Sequence, residues 1–176
     1  EVSVPIGHFN AFPLEPDQAV PDPDARDASI LFAAIRAGEN RFGTPAVVQV
    51  NHPRWGGIDY FGQTDLDPLT GEAASPAWSP DFDTLEVFNA NEGWGYYDAD
   101  LGGRHIGASV HHVLRDWHLL LCRGQRSFAV GNSDSHTVHF EFAGYPRNYV
   151  PSATDAPAEI DVPAVIHVDA PPVEED

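Results

Sequence analysis

The order of its short apolar runs constrains what this chain can fold into more than any other feature. Glu1 to Pro5 alternates apolar and polar residues, as a half-buried strand does, and His8 to Leu14 reads as a second short strand. Pro16 to Asp24, rich in Pro and Asp, reads as a loop. Asp24 or Asp27 can cap a helix running to about Ala37, with Ile30, Leu31, Ala34 and Ile35 on its buried side and Gly38 ending it. The valine-rich run Ala46 to Val50 suits a buried parallel strand. Thr84 to Asn89 is another strand, and Ser127 to Gly131 is the last clear one. Between those two, Val110, Leu114, Trp117 and Leu121 recur at helical spacing in a helix from about Ala108 to Arg123, stopped by Gly124.

The order strand, helix, strand, loop, strand, helix, strand indicates an α/β domain with a mostly parallel sheet or barrel. His52, Asn89, Asp134 and His136 then each fall just beyond the C-terminal end of a predicted strand. That rim is where β/α barrels and open α/β sheets place their sites. The stretch from Arg54 to Pro80 holds many Gly, Asp, Pro and Trp without a sustained period, so it reads as a long loop of the kind that is often functional. From Val150 onward Pro, Ala, Asp and Glu dominate. The expected organisation is a domain over residues 1–150 and a peripheral segment over 151–176, with one strand at Ala164 to Val168 and a disordered acidic tail.

Charge narrows the function classes. The formal charge is −18, and all nine basic residues are Arg. Gripping a nucleic-acid backbone needs basic residues in a stripe, so no extended nucleic-acid surface is expected. Small anionic substrates stay open, because bound metal ions reverse the local sign of the field. No apolar run approaches the ~20 residues of a membrane helix, so no membrane span is expected. Cys122 is the only cysteine, which excludes an internal disulfide framework and a cysteine-based zinc site; its place on the apolar side of the predicted helix makes it a core residue. The chain has no Met and opens at Glu1 on a strand pattern, so the expectation is a processed or truncated piece with any export signal upstream.

Several residues carry chemistry. In the extended segment Asp134-Ser135-His136, residues two apart point the same way, so a carboxylate and an imidazole can reach one metal or two adjacent ones. The bland alternative for this spacing is a surface turn. His52 ends a buried strand and is fixed by Pro53, which suits the side chain that most often binds metals; its alternative is a histidine satisfied by backbone hydrogen bonds. Arg54 and Arg147 are the candidates for pairing with an anionic substrate group, against structural salt bridges in a chain with 27 acidic residues. His139 lies close enough to Asp134 and His136 to support them, and His111 and His118 share a helical face as surface residues would. Asp65, Asp67 and Glu72 suggest a calcium loop, but Leu69 occupies the required fifth position.

The set Glu1…Gly7-His8-Phe9-Asn10, Asn51-His52-Pro53-Arg54, Leu85-Glu86-Val87-Phe88-Asn89, Gly131-Asn132-Ser133-Asp134-Ser135-His136 and Gly144-Tyr145-Pro146-Arg147-Asn148-Tyr149-Val150 resembles a PHP (polymerase and histidinol phosphatase) domain. More narrowly it is similar to the CehA/McbA group of metallohydrolases. The resemblance covers roughly residues 1–150 and implies a distorted (β/α)7 PHP-type barrel with two or three divalent metal ions at the strand C-termini. By it, Glu1 resembles the carboxylate bridging two metals, and His8, His52, Asp134 and His136 resemble further ligands. Glu86 matches a recurrent position and is expected to support the site rather than to ligate. The family pattern opens with a His-x-His pair that this chain does not supply. The resemblance therefore implies that the first part of the barrel precedes Glu1, and that an upstream segment or chain completes the metal site.

Imidazole and carboxylate ligands suit Zn, Mn or Fe. Two such ions about 3.5–4 Å apart deprotonate a shared water near neutral pH and make it a nucleophile. The expected activity is a metal-dependent hydrolase, a phosphoesterase on small phosphate mono- or diesters using a metal-bridging hydroxide. The same site could cleave a carbamate, ester or amide. A third reading is a degenerate metal-binding domain with a regulatory or assembly role. Localisation is not legible, although export to the periplasm is compatible with the resemblance.

Overall fold

Five strands form one mixed sheet in a computed structural model that describes residues 1–38, 41–54, 57–89, 107–137, 139, 143–144 and 146–163, with the backbone alone for 107–112. The strands β1 (Val2–Val4), β2 (Gly7–Phe12), β3 (Val47–Val50), β4 (Thr84–Asn89) and β5 (Phe128–Asn132) lie side by side in chain order. β1, β2 and β3 pair antiparallel, and β3, β4 and β5 pair parallel. The five strands expected before residue 150 are therefore present with boundaries close to those read from the pattern, but the sheet is mixed rather than mostly parallel. The reason is local. β1 and β2 are joined by only Pro5 and Ile6, and a connection that short can only be a hairpin.

The hairpin depends on Gly7. Its φ is +144°, and a Cβ there would meet backbone and Cβ atoms of Tyr60 at 3.0–3.1 Å. Gly7→Ala is expected to cost roughly 1–3 kcal/mol through strain and overpacking, read as a lower urea midpoint. An unchanged midpoint would mean that the hairpin does not pack on Tyr60 as described.

Alternation along the strands makes the two faces of the sheet unlike. Val2, Val4, Phe9, Ala11, Val48, Val50, Leu85 and Val87 belong to the apolar core or pack against it. Against that face lies the helix α1 (Ala28–Arg36), whose first turn is capped by Asp27 accepting from the Ser29 and Ile30 N–H groups. Its buried stripe is Ala28, Leu31, Phe32 and Ile35. Leu31 and Ile35 are buried as expected, whereas Ile30 is 68% exposed and Ala34 is also exposed. Phe32 takes the inward place, its ring 5.2 Å from Phe9.

The segment from Arg54 to Pro80, expected to be a functional loop, instead supplies core. It forms the one-turn helix α2 (Tyr60–Gln63), burying Tyr60 and Phe61. Tyr60 stacks on Trp78 at 5.0 Å, and its hydroxyl donates to the Ser79 carbonyl while accepting the Ser79 N–H. Of the stripe expected on the helix α3 (Gly107–Cys122), Trp117 packs against the core and Leu114 is half-buried, while the side chain of Val110 falls outside the described residues. Val113, Asp116 and Leu120 are buried, Trp117 gives its indole N–H to Ser127, and Leu121 is 37% exposed. Cys122 is exposed, so it is not the core residue expected.

Beyond residue 150 the described chain contains a 3-10 turn at Pro157–Glu159 and lies against residues 41–44 through Arg41 to the Pro157 carbonyl and Thr44 to Asp161. The strand expected at Ala164 to Val168 falls outside the described residues. No helix among the described residues is long and apolar enough to cross a membrane.

Candidate functional site

The second face of the sheet is polar. Register places Ser3 opposite His8 and Asn10 opposite Gln49, so these side chains share a face. Gln49 reaches Asn51 at 2.8 Å and Thr84 at 3.4 Å, and Glu86 follows Thr84 at strand spacing. Gln49, Asn51, Thr84 and Glu86 are all at most 6% exposed. At the C-terminal end of this face opens a cavity of about 630 Å³ walled by Glu1, Asn10, Asn51, His52, Glu86, residues 131–136, Gly144 and residues 146–148. Four of the five expected metal ligands, Glu1, His52, Asp134 and His136, thus meet in one cavity, with Arg147 on its wall.

The fifth, His8, sits just behind. It reaches the rim because β2 runs antiparallel to β3, so the start of β2 lies beside the end of β3 and the Asn51 N–H bonds the His8 carbonyl. Its Nδ1 is 3.0 Å from the Glu1 carboxylate, and its ring lies edge-on to His52 with centroids 4.9 Å apart. On the far wall, His136 Nε2 is 3.9 Å from Asp134 Oδ1. Among the described residues no group of three or more His, Cys, Asp or Glu is placed to hold one metal ion. The donors stand instead as Glu1 and His52 on one wall of the cavity with His8 in contact with both behind it, and an Asp134–His136 pair on the other.

Backbone conformation marks both walls. His52 has φ 25° and Asp134 has φ 45°, in the left-handed region that side chains rarely adopt. Such residues cost on the order of 1–3 kcal/mol each and persist where surrounding structure over-determines them, often at functional sites. His52 is 7% exposed, and its Nδ1 is buried with no hydrogen-bond partner among the described residues. Burial, then the charge of His8, hold the His52 imidazole below the usual histidine range, against the opposing pull of Asp134 and Glu1. A neutral imidazole with an unclaimed nitrogen is what a metal ligand requires.

Glu86 anchors the middle of the site. Its Oε2 accepts the His52 backbone N–H and the Asn89 amide. Burial pushes its carboxyl up to about 7, against these bonds; the Asn132 amide also favours the anion, though its Nδ2 completes no hydrogen bond. An unfolded carboxyl ionises near 4.5 while the folded one keeps its proton, so this group's contribution to stability is full below 4.5 and is lost as pH rises through about 7. Glu86→Gln keeps an oxygen for both bonds and removes the titration. In metal-free protein its stability should gain on the native chain between pH 5 and 8, by at most about 3 kcal/mol. A difference independent of pH over that range would show that Glu86 does not titrate there.

Arg54 and Arg147 part company. Arg54 lies away from the cavity, its guanidinium held by Asp116 at 2.8 and 3.1 Å, by the Leu66 carbonyl, and over the Phe61 ring. It takes the structural salt bridge rather than a place at the substrate. Arg147 is exposed on the cavity wall and has no hydrogen-bond or ion-pair partner among the described residues. The neighbouring Asn148 both accepts the Gly131 N–H and donates to its carbonyl, and Pro146 packs where a Cβ on Gly131 would sit.

His118 and His139 are exposed and do not line the cavity. The side chains of His111 and His112, and all of His105 and His167, fall outside the described residues. What residue-by-residue reading missed is the polar face itself. Gln49 and Thr84 gave a signal, since Gln49 is the one polar residue of β3 and Thr84 stands two residues from Glu86 in β4. No family model, no curated protein and no solved structure matches this chain.

Proposed function

We propose that this chain carries part of a divalent-metal site of the PHP type and serves a metal-dependent hydrolase, with small phosphate mono- or diesters as the favoured substrates. The observation that carries the reading is one cavity collecting Glu1, His52, Asp134 and His136 beside Arg147, which has no partner among the described residues. Glu1, His8, His52, Asp134 and His136 would hold the ions, and this mix of nitrogen and oxygen donors suits Zn, Mn or Fe. The unclaimed His52 Nδ1 supports the fit, and bound ions of this kind would polarise the scissile group and activate water near neutral pH.

The chain's own residues would do the rest. His52, kept neutral by burial, offers a lone pair without first losing a proton. Arg147 would bind a peripheral ester oxygen and orient the substrate. Ser133 and Ser135, whose hydroxyls lie 3.2 Å apart on the same wall, offer further hydrogen bonds.

A second reading keeps the site and changes the bond, to a neutral ester, carbamate or amide. The acidity of the wall favours it, since Glu1 and Asp134 outnumber Arg147. Nitrophenyl phosphate, phosphodiester, acetate and carbamate, assayed with Zn, Mn or Fe and again with chelator, separate the readings. The expected result is chelator-sensitive turnover of the phosphate esters, with Arg147→Ala raising their KM at least about tenfold. Preference for acetate or carbamate, indifferent to Arg147→Ala, moves the assignment to the second reading. Metal uptake with no turnover leaves a metal-binding domain of regulatory or assembly role.

A further inference from the structure

We infer that Glu86 and Asn89 form one positioning bracket that sets the spacing and attitude of His52 and Asp134 toward a shared ligand; the inference rests on the metal-site reading above and deepens it. One oxygen, Glu86 Oε2, accepts both the His52 backbone N–H and the Asn89 Nδ2 at 3.2 Å. The same Asn89 nitrogen donates to Asp134 Oδ2 at 3.1 Å. An unbroken path therefore runs from the end of β3, through two residues of β4, to the segment after β5.

Three features set this path apart from ordinary packing. The residues it joins, His52 and Asp134, are the two non-glycine residues of the described cavity lining with positive φ. Each sits in the left-handed region, which His and Asp enter more readily than most residues but which is still sparsely populated, so an outside hold fixes it there. Glu86 and Asn89 are 3% and 4% exposed, so water cannot substitute for either. Lastly, residues three apart on a regular strand face opposite ways, yet both of these face the cavity side. The register accounts for it. Glu86 pairs with Val130 and Phe88 with Gly131, so Val87 is an extra residue and the strand bulges there. The bulge re-aims Asn89 onto the face of Glu86, as bulges beside functional sites do.

Outer partners of this kind fix ligand orientation, and losing one typically weakens metal affinity about 10–100-fold. The bracket makes a distinction that plain packing would not. Because both bonds end on one oxygen, Glu86→Gln can keep them, whereas Glu86→Ala and Asn89→Ala cannot. Neither residue is assigned contact with substrate.

The test uses the 176-residue chain, with Co²⁺ alone as the probe, followed by its d–d absorption, and with amide NMR of the metal-free protein. Expected are Co²⁺ affinity and spectrum near wild type for Glu86→Gln, and a loss of about 10–100-fold with altered bands for Asn89→Ala. In the metal-free protein, Asn89→Ala should shift the His52 and Asp134 amides while resonances of the apolar face stay in place. Wild-type affinity and bands in Asn89→Ala would overturn the bracket, as would a Glu86→Gln variant as impaired as Glu86→Ala. A wild-type chain that takes up no Co²⁺ would count against the metal site. The bracket then stands on the coupled amide shifts, and falls if Asn89→Ala leaves both amides unmoved.

Discussion

Asp116→Ala is expected to destabilise the fold by about 3–5 kcal/mol, because removing one partner of a buried ion pair leaves the other charged and unpaired. Asp116 is fully buried on α3, and the Arg54 side chain it holds is only 12% exposed. That guanidinium also donates to the Leu66 carbonyl and covers the Phe61 ring, so it ties α3 to the aromatic segment packed under the sheet. Replacing both partners together, as in Arg54→Met with Asp116→Leu, should recover much of the loss, since a buried pair is often replaceable by apolar residues of similar volume. Urea denaturation of the single and double variants measures both effects. A loss below about 1 kcal/mol in Asp116→Ala, typical of exposed pairs, would show that Arg54 is not held there, and would return it to the list of groups free to meet a substrate.

The fate of Arg54 shows where the sequence could be read and where it could not. β1 was legible from its alternation and β3 from its continuous valine-rich run, and β4 was placed at Thr84–Asn89, the bounds it has. The helix cap was legible as Asp24 or Asp27, because a helix start has a local chemical signature, and Asp27 takes the place. The full inward stripe of each helix was not legible, because that choice is made by distant partners. Phe9 and Tyr60 draw Phe32 inward, and Arg54 draws Asp116, which no periodicity of apolar residues could announce. The same holds for the 54–80 segment. Tyr60, Phe61 and Trp78 lack a period because they fill a core from a chain that is mostly irregular, so the absence of pattern read as a long loop.

For the candidate site, the short motifs located the strand-end residues, and the hairpin brought Glu1 and His8 to the same face although neither lies at the end of a parallel strand. The Glu86–Asn89 path was beyond sequence reasoning for a plain reason. Three-residue spacing on a strand argues against a shared face, and only the bulge at Val87 reverses that.

His52→Ala and Asp134→Asn are expected to abolish high-affinity metal binding, each by more than the roughly 10–100-fold typical of an outer partner. The two variants remove different things. His52→Ala deletes the neutral imidazole whose Nδ1 is buried without a partner. Asp134→Asn keeps the size and the tolerance for positive φ, since Asn also adopts the left-handed region readily, and removes only the charge. Fold and ligation are thereby separated, because an Asp134→Asn chain should denature near the native midpoint without metal. Elemental analysis after metal loading and desalting gives the first readout. A second comes from linkage, since a ligand that binds only the folded state at 100 times its Kd stabilises by about 2.7 kcal/mol. Added Zn or Mn should raise the melting temperature of the native chain, and neither variant should respond. Metal content and thermal shift equal to the native chain in both variants would sink the ligand assignment for His52 and Asp134, and with it the hydrolase built on them.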